Sequence, residues 1–466
     1  MKYYDKIKEK TQRVIVKKIL YGLGDASKEN LVRLATLIEK LIKDRNKKSV
    51  ADYKDERGDN IVSVVKKMIK EDRPSIGLIR RILKDIHPNC REKFVENFII
   101  NRWLIYKKRK EEFHKKEGVW PPMSVLISPT MRCNLKCEGC YAGNYSKDDD
   151  LGFELFDRIV TEAEEMGISL FTILGGEPFV IKDDLFKIAK KHSTSYFQAF
   201  TNGTLIDKEV IEKLKEAGNI LMNMSVEGFE KETDERRGKG TFKTMMKAMD
   251  LLKENKIPFG FSTTVTSKNA ELICSDKFID FMIKKGAYLG WFFLYMPIGS
   301  EPNLDLMPTP EQRILLKNTW ERMRKEKSIF LVDFWNDAPY VGGCIAGREY
   351  IHITSKGDVE PCIFSHFAVD NIKNKSLKEA FTSDFFKGLR EREPHSENLY
   401  MPCMWIDTPE AGREIWEKFG CYPTHEGADT IVKDPKIIKG LNKYSKRVKE
   451  LFDPEWEKRK AETKNC

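Results

Sequence analysis

Three cysteines lie close together in the stretch "TMRCNLKCEGCYAG" (residues 130–143): Cys133, Cys137 and Cys140. A disulfide uses two thiols, and a structural zinc site normally uses four ligands. Zinc held by three thiolates alone is unusual, and the next Cys or His is far away along the chain. Iron–sulfur clusters are bound by thiolates, and the CxxxCxxC spacing lets one loop hold three corners of a 4Fe-4S cube. We therefore expect a cluster whose fourth iron is open to a small molecule, with zinc as the alternative.

Four more cysteines occur in the last third of the chain: Cys344, Cys362, Cys403 and Cys421. In "CIAGREYIHITSKGDVEPCIF", twelve residues separate Cys344 from Gly357 and four separate Gly357 from Cys362. The Gly-Asp pair at 357–358 is typical of a β-hairpin turn, which would bring these two cysteines together. Ten cysteines in a chain that is not expected to be secreted favour metal or redox chemistry over a disulfide framework. Plain burial of the thiols or zinc binding is the alternative.

The elements that must position these residues alternate between strands and helices from about residue 119. Short apolar strands are predicted at 124–129, 170–174, 197–201, 220–225, 259–265 and 290–295. Amphipathic helices are predicted between them at 153–166, 183–192, 207–217, 242–256 and 274–285. Strict alternation implies right-handed crossovers and a parallel sheet. We therefore predict an α/β fold, a partial (β/α)6 TIM-like barrel, with its chemistry at the carboxyl ends of the strands.

The first 118 residues are predicted to be helical, and they hold 32 Lys and Arg against 18 Asp and Glu. Because the whole chain has a net charge of only +10, the basic excess lies entirely in this part. Such a charge predicts an anionic partner, and without an RNA-binding motif we do not expect a nucleic acid. Asn89 is predicted to cap a helix that continues through 91–110. That helix is either a core helix or an interfacial helix whose basic end, 107–110, meets anionic lipid headgroups.

The length of 466 residues suggests two or three domains. We predict a basic helical domain at 1–118, the partial barrel at 119–305 and a domain with the second cysteine group at 306–466. Charges occur too early for a signal peptide, and no apolar run approaches the ~20 residues of a membrane span. We expect a cytoplasmic protein, peripheral at the inner face of the membrane if its partner is a lipid surface.

Further motifs follow the predicted strands in order: "ILGGEPF" at 173–179, "TNGT" at 201–204, "SVEG" at 225–228 and "TTVTSKN" at 263–269. Together with the cysteine loop, they resemble the radical S-adenosylmethionine (SAM) superfamily over about residues 121–300. The resemblance implies that Cys133, Cys137 and Cys140 bind a 4Fe-4S cluster whose open iron binds SAM. It also implies a set of SAM-binding residues, Gly175, Gly176, Glu177, Pro178, Asn202, Ser225, Glu227 and Thr264.

The expected roles of these residues follow from the family. GGEP binds the SAM amino group, where a carboxylate meets an ammonium, and Ser-x-Asp-Gly contacts the SAM carboxylate and ribose. Glu227 replaces the Asp in this chain. Many relatives carry an aromatic residue before the last loop cysteine, beside the adenine. This chain has Gly139 there, so we expect Tyr141 or a backbone contact to cover the adenine.

Family chemistry requires an electron for the cluster, so a reducing partner such as ferredoxin or flavodoxin is expected. The resemblance then implies SAM cleavage to a 5′-deoxyadenosyl radical that takes hydrogen from an unactivated carbon, while the protein orients the cofactor and excludes water.

The second cysteine group resembles the opening of a SPASM or twitch extension, the auxiliary-cluster domain of many radical SAM enzymes. A dense CxxC-type run, which a full SPASM domain would add, does not follow in this chain. The resemblance implies one auxiliary 4Fe-4S cluster held by Cys344, Cys362, Cys403 and Cys421. A cluster with four thiolate ligands has no open iron, which favours electron transfer over substrate binding.

For the substrate, three stretches resemble radical SAM enzymes that act on lipid tails, the membrane-spanning-lipid and tetraether tail-bridging synthases: "ISPTMRCNLKCEGCYAGNY", "FTILGGEPF" and "GDVEPCIF". This resemblance implies C–C coupling of hydrocarbon chains. The expected chain-binding wall consists of Trp291, Phe293, Tyr295, Phe334 and Trp335, although such residues are more often core. A maturase of ribosomally made peptides and a non-enzymatic iron–sulfur or electron-transfer module are the alternatives.

Overall fold

The structure, a computed structural model, describes residues 73–298 and 302–464, together with 27, 29, 32, 33, 36, 66, 67 and 69–71. The remaining residues of the predicted N-terminal helical domain therefore lie outside the described part.

All six predicted strands are present, within two residues of the predicted bounds. They are β1 (Ser124–Ile127), β2 (Leu170–Ile173), β3 (Tyr196–Thr201), β4 (Ile220–Ser225), β5 (Phe259–Val265) and β6 (Leu289–Leu294). The six strands form a parallel sheet in sequence order. The partial-barrel prediction is confirmed.

The sheet extends beyond these six strands on both sides. Strand β7 (Phe330–Asp333) pairs in parallel with β6, and β8 (Tyr350–Ile353) pairs in parallel with β1. A two-residue strand, β9 (Val359–Glu360), then pairs antiparallel with β8. The predicted hairpin around Gly357 is confirmed, with Gly357 at φ +92° in the turn. The sheet thus joins strands on both sides of the predicted boundary at residue 305.

From residue 73 onward, the helices begin with α1 (Pro74–Asp85), α2 (Pro88–Lys93), a π-type helix (Phe94–Tyr106) and α3 (Lys107–Glu117). The barrel helices are α4 (Gly152–Met166), α5 (Lys182–Lys191), α6 (Lys208–Ala217), α7 (Glu230–Arg237), α8 (Thr241–Glu254), α9 (Ala270–Ile273) and α10 (Asp276–Lys285). The helices that follow are α11 (Pro310–Glu326), α12 (Ala338–Val341), α13 (Leu377–Phe381), α14 (Asp384–Glu391), α15 (Pro409–Phe419), α16 (Thr430–Lys433) and α17 (Pro435–Lys464). Short 3-10 turns occupy Pro178–Ile181 and Leu304–Leu306, and β10 (Phe367–Ala368) pairs antiparallel with β11 (Tyr422–Pro423).

The barrel helices cover the sheet with one apolar face each. Helix α4 buries Phe156, Ile159, Val160 and Ala163, which recur at the three- and four-residue spacing of one helix face. Burial of such a face supplies most of the stability of a surface helix, since short isolated helices are marginal in water. None of the described helices is long and apolar enough to cross a bilayer.

The N-terminal helices lie across the amino-terminal end of the barrel, opposite the end where the cysteine loop lies. Arg81 of α1 donates to the carbonyls of Ala287 and Ser328, which precede β6 and β7. In the π-type helix, Asn97 donates to the carbonyls of Ser193 and Ser195, just before β3. These contacts close the bottom of the barrel with side chains that reach carbonyls in the connecting loops.

These contacts also settle two expectations about the segment at 89–110. Its described aromatic side chains pack on the barrel, since the Phe94 ring lies 5.8 Å from Tyr196 and Tyr106 is 1% exposed, as the core-helix alternative predicts. The predicted N-cap is wrong, because helix α2 begins at Pro88 and His87 occupies its N-cap position. Asn89 instead donates to carbonyls at the end of α6.

We expect Asn97→Ala to lower the free energy of unfolding by about 1–3 kcal/mol, because the buried amide gives up its hydrogen bonds to the carbonyls of Ser193 and Ser195 and Asn101 loses its acceptor. Chemical denaturation of the metal-free protein measures this change. The control, Asn374→Ala at an exposed turn, should change the stability by less than about 0.5 kcal/mol. Equal stability of the two variants would show that the N-terminal helices are not held by this contact.

Candidate active site

A cavity opens at the carboxyl ends of the barrel strands, on the side where the cysteine loop follows β1. Its lining residues are Cys133, Cys137, Gly139, Cys140, Tyr141, Leu174, Gly175, Gly176, Phe200, Thr201, Asn202, Ser225, Arg236, Arg237, Ser262, Thr263, Thr264, Phe293, Leu294, Tyr295, Met296, Ile363 and Phe364. The cavity therefore brings together the three loop cysteines and residues from the ends of strands β2 to β6, as the barrel predicts.

The cysteine loop presents its thiols to hydrogen-bond donors. The Leu135 N–H lies 3.4 Å from the Cys133 sulfur, and Asn202 Nδ2 lies 3.8 Å from it. Arg237 places a guanidinium nitrogen 3.9 Å from the Cys137 sulfur. Burial raises the pKa of Cys133 and of Cys137, so these thiols need a bound cation to become thiolates near neutral pH. Three free thiols around one cavity, with donors aimed at sulfur, fit a cluster with three protein ligands.

Gly175 and Gly176 form a wall of the cavity, and the cysteine loop packs directly on them. A Cβ added at Gly176 would lie 2.2 Å from the Arg132 carbonyl oxygen, so a side chain there would push the loop away. The Gly176 N–H donates to the Thr130 carbonyl, and the Glu177 N–H donates to the Arg132 carbonyl. Glycine is needed here for close backbone approach.

Glu177 and Pro178 lie beneath this wall and do not line the cavity. The Glu177 carboxylate is fully buried and accepts hydrogen bonds from Thr201 Oγ1 at 2.7 Å, Asn202 N at 2.7 Å and Phe179 N at 3.1 Å. Burial raises the pKa of Glu177, although these donors oppose the rise. The geometry gives Glu177 a positioning role that ties the ends of β2 and β3 together, and leaves the backbone at Gly175 and Gly176 facing the cavity.

Glu227 is also buried behind the cavity, where it pairs with two arginines. Its Oε1 accepts from Arg236 at 2.6 Å and from Arg237 Nε at 2.8 Å, and its Oε2 accepts from the Thr264 N–H at 3.0 Å. Burial alone would raise the pKa of Glu227, but the two guanidinium charges outweigh it and the pKa lies below its ordinary value. Glu227 therefore orients Arg236 and Arg237, and these two line the cavity beside Ser225.

Three further motif residues lie at the cavity, either in its lining or directly behind it. Thr264 lines the cavity, whereas Asn269 lies behind it and donates to the carbonyls of Thr264 and Glu227. Asn202 lines the cavity and donates to Asn134 Oδ1 at 2.9 Å, which joins the end of β3 to the cysteine loop.

The place beside Gly139 is filled by Tyr295, which corrects the expectation for Tyr141. A Cβ at Gly139, where φ is +63°, would lie 2.5 Å from Tyr295 Cε2. Tyr295 comes from the end of β6, and its hydroxyl accepts from the Asn303 N–H at 3.2 Å. Tyr141 also lines the cavity, but its ring lies against Phe364 and its hydroxyl is 3.4 Å from Gly175 N. Tyr295, which follows strand β6, thus fills the space that an aromatic side chain at position 139 would otherwise occupy.

An aromatic wall separates the cysteine loop from the second cysteine group. Phe293 lies 5.4 Å from Phe334 and 6.4 Å from Phe364 between ring centroids, and Trp335 lies 5.8 Å from Phe364. Phe293 and Phe364 line the cavity, whereas Phe334 and Trp335 support them from behind. Trp291 is parallel to Phe293 at 5.9 Å and is also absent from the lining. Of the five predicted wall residues, Phe293 and Tyr295 face the cavity.

The structure brings together three of the four cysteines of the second group. The Tyr350 hydroxyl lies 2.9 Å from the Cys362 sulfur and interacts electrostatically with Cys344 and Cys403 as well. Burial and, after Glu393, the neighbouring Cys403 and Cys362 raise the pKa of Cys344. Cys403 is positioned by Asp407, which accepts from its N–H at 3.1 Å and is itself paired with the buried Arg313 at 2.5 Å.

Cys421 is placed differently from these three. It follows α15, and its N–H donates to the Trp416 carbonyl at 3.3 Å. Burial raises its pKa to about 12. That Cys421 completes the cysteine group stays a prediction. Cys344 lies beside Glu393 and His395, with the three possible ligand atoms within 4.8 Å of one another.

Several site residues could not be identified from the sequence. Arg236 and Arg237 lie nine and ten positions after Glu227, and their only signal is the acidic residue with which they pair. Ile363 and Phe364 reach the cavity because β8 joins the sheet next to β1, which no local pattern predicts.

We expect Gly139→Ala to lower the amount of iron and sulfide bound by the cysteine loop, measured after anaerobic reconstitution of a chain in which Cys344, Cys362 and Cys403 are alanine. The added methyl group would overlap the Tyr295 ring, and φ +63° disfavours any side chain. Tyr295→Ala in the same chain should restore part of the binding, because it removes the overlap. Gly118→Ala is the matched control, since Gly118 has φ +71° and open space around its Cα. Equal iron binding by the Gly139 and Gly118 variants would contradict this packing.

Comparison with known proteins agrees with the geometry. Residues 127–271 match the Radical SAM superfamily, and residues 344–404 match SPASM, an iron–sulfur cluster-binding domain. The first match contains the three loop cysteines, and the second contains Cys344, Cys362 and Cys403 but ends before Cys421.

Curated relatives include an AdoMet-dependent heme synthase of Methanosarcina barkeri, 27% identical over 58% of this chain and 86% of that protein. The PqqA peptide cyclase of Granulibacter bethesdensis is 27% identical over 68% of this chain and 87% of that protein. The uncharacterized protein MJ0907 of Methanocaldococcus jannaschii is 32% identical over 40% of this chain and 68% of that protein.

Among solved structures, Streptococcus suis SuiB bound to S-adenosylmethionine is similar in fold. Its TM-score is 0.53 at 20% identity, over 72% of this chain and 81% of that chain. A radical SAM domain implies a 4Fe-4S cluster and SAM as cofactors, and a SPASM domain implies auxiliary iron–sulfur binding. With its three-cysteine loop at the mouth of a partial barrel and a second cysteine group against the same sheet, this chain is an enzyme of the radical SAM superfamily that carries a SPASM domain.

Proposed function

We propose that this enzyme removes hydrogen from an unactivated carbon of a saturated hydrocarbon chain and joins two such lipid chains through a C–C bond. The observation that carries this proposal is the composition of the cavity wall. Among the described residues that line the cavity there is no carboxylate, lysine or histidine, and its two arginines are paired with a buried glutamate. Such a wall offers no acid or base for the substrate, which suits a substrate segment without polar groups.

The polar side of the cavity has groups that suit the cofactors. Cys133, Cys137 and Cys140 would hold the cluster, and the backbone at Gly175 and Gly176 would approach the SAM amino group. Arg236, oriented by Glu227, and Ser225 lie where an anionic carboxylate would be stabilised by charge-assisted hydrogen bonds. When bound, the reduced cluster and SAM supply the one-electron chemistry that removes hydrogen from carbon. We assign the Tyr295 ring beside Gly139 to the adenine.

The apolar side of the cavity suits the substrate. Phe293, Met296, Ile363 and Phe364 face the space across from the glycine wall. A peptide backbone placed there would need partners for its N–H and C=O groups, and an unpartnered amide costs several kcal/mol, on the order of 2–7, to bury. A methylene chain has no such requirement and gains free energy from burial, at about 0.8 kcal/mol per CH₂.

The overall reaction balances as follows. Joining R–H and R′–H forms one C–C bond and releases two hydrogen atoms, each of which leaves in one molecule of 5′-deoxyadenosine. Two SAM molecules and two electrons are consumed for each bond, and two methionines are formed. The electrons require an external one-electron donor, and we propose a ferredoxin or flavodoxin for this role.

We further propose that residues 1–118 bring the enzyme to an anionic lipid surface through their positive charge. The described helices of this region lie at the bottom of the barrel, so the proposal depends mainly on the residues before 73. Residues 119–305 would then form the catalytic barrel, and residues 306–466 the auxiliary unit that β7 and β8 join to the barrel sheet.

Peptide maturation is the second candidate, and the similarity to the PqqA peptide cyclase favours it. That relative is matched over 87% of its own length. In this alternative, the aromatic wall would bind the side chain that is modified, with the peptide backbone outside the described cavity lining.

The test uses the reconstituted enzyme, a one-electron reductant, SAM and anionic vesicles of phospholipid with perdeuterated saturated chains. We expect deuterium in the 5′-deoxyadenosine and a joined lipid that has lost two deuterium atoms, at about two molecules of 5′-deoxyadenosine per bond. Phe293→Gln should still cleave SAM without lipid but should lose most of the joined product, because it puts an amide in the centre of the apolar wall. Phe330→Gln, at a residue that is 59% exposed, is the matched control and should keep the product.

Formation of 5′-deoxyadenosine without deuterium from the lipid would contradict the lipid proposal and leave peptide maturation as the better candidate. The absence of SAM cleavage would indicate that the cavity does not operate as a radical SAM site, since this step needs no substrate.

A further inference from the structure

The auxiliary cluster that the SPASM domain implies needs a fourth protein ligand in addition to Cys344, Cys362 and Cys403. Cys421 lies outside the matched domain, and its N–H donates to the Trp416 carbonyl just after α15. The other three lie inside that domain, and the Tyr350 hydroxyl, 2.9 Å from the Cys362 sulfur, also interacts with Cys344 and Cys403. The position for the fourth ligand must therefore be sought next to this group of three.

His395 lies next to Cys344 of this group. One of its ring nitrogens, a carboxylate oxygen of Glu393 and the Cys344 sulfur all lie within 4.8 Å of one another. The His395 side chain is only 7% exposed, and its Nδ1 is buried without a hydrogen-bond partner. Buried polar nitrogens without a partner are rare in folded proteins, because each costs free energy to desolvate. A bound metal is a direct way to satisfy such a nitrogen.

Glu393 and Arg348 hold this corner of the site in place. Arg348 Nε donates to Glu393 Oε2 at 2.8 Å, and its NH2 group donates to the Cys344 carbonyl at 3.0 Å. The guanidinium thus links Cys344 to the segment that carries His395, although the two are distant in sequence. Glu393 Oε1 is also buried without a partner, but Arg348 on Oε2 neutralises this carboxylate, and we assign Glu393 to positioning and not to the metal.

We propose that His395 is the fourth protein ligand of the auxiliary iron–sulfur cluster, together with Cys344, Cys362 and Cys403, and that Cys421 is a buried core thiol. This assignment does not depend on the proposed substrate. Imidazole occurs as an iron ligand in iron–sulfur proteins and raises the reduction potential relative to thiolate, because it adds no negative charge. The auxiliary cluster would then be easier to reduce than one with four thiolate ligands. With four protein ligands it has no open iron, which suits it to electron transfer.

The test uses the full chain with Cys133, Cys137 and Cys140 replaced by alanine, so that only the auxiliary site binds iron. Iron, acid-labile sulfide and zinc are measured after reconstitution, and the reduced cluster is examined by pulsed EPR on protein labelled with ¹⁴N- or ¹⁵N-histidine. We expect a strong coupling to one histidine nitrogen that changes with the isotope. His395→Ala should lose most of the iron, whereas Cys421→Ala should keep it.

His395→Cys tests whether a loss of iron in His395→Ala reflects the loss of a ligand or a failure to fold. It should retain iron and sulfide, lose the nitrogen coupling and shift the midpoint potential to lower values, because thiolate replaces imidazole. Three results would overturn the proposal: loss of iron in Cys421→Ala with retention in His395→Ala, the absence of any histidine coupling in the parent chain, or zinc in place of iron and sulfide.

Discussion

Strand β8 hydrogen-bonds to β1 in parallel register, with Val125 opposite Ile351 and Ile127 opposite Ile353, and this pairing determines where the two cysteine groups lie. The cysteine loop leaves the carboxyl end of β1, at the mouth of the barrel. Cys344 precedes β8, and Cys362 follows β9, which runs antiparallel to β8, so both lie toward the amino-terminal end of β8. A chain of buried polar contacts reinforces the pairing. Ser128 lies 2.7 Å from His352 Nε2, and His352 Nδ1 lies 2.6 Å from Glu360. Tyr145, just after the cysteine loop, donates to Glu360 at 2.7 Å.

From this pairing follows the division of the cavity into a polar and an apolar side. Strands β2 to β5 and the segments after them contribute glycines, hydroxyls and Glu227, whose carboxylate pairs with both Arg236 and Arg237. The side that faces the auxiliary region is built from β6 and from Ile363 and Phe364, which follow the β8–β9 hairpin. Buried charges are costly unless paired, so the charged groups remain on the cofactor side and the substrate side stays apolar. Burial raises the pKa values of Cys133, Cys137 and Cys344, which keeps these thiols neutral until a cation binds them as thiolates.

Much of the barrel could be predicted from the sequence, because local signals determine it. The strands β1 to β6 are short apolar runs between amphipathic helices. The cysteine loop is recognisable from the spacing of its cysteines, and the segment that packs on it from its paired glycines, Gly175 and Gly176. The contacts that could not be predicted are those between distant segments. Strand β8 contains a buried histidine and resembles an ordinary hairpin strand, so the sequence does not indicate that it pairs with β1. Tyr295 at Gly139, Arg236 and Arg237 at Glu227, and His395 beside Cys344 are similar cases. The predicted roles of Tyr141 and of the Glu177 carboxylate changed because each depended on such tertiary neighbours.

The iron content of the reconstituted protein tests the central claim, that two separate cysteine groups next to one sheet each hold a cluster. The full chain, reconstituted without oxygen, should bind about eight irons. Replacing Cys133, Cys137 and Cys140 by alanine should leave about four, and so should replacing Cys344, Cys362 and Cys403. Magnetic coupling between the two reduced clusters should be present only in the unchanged chain. A total of about four irons in the unchanged chain, lost with only one of the two triple substitutions, would contradict this account.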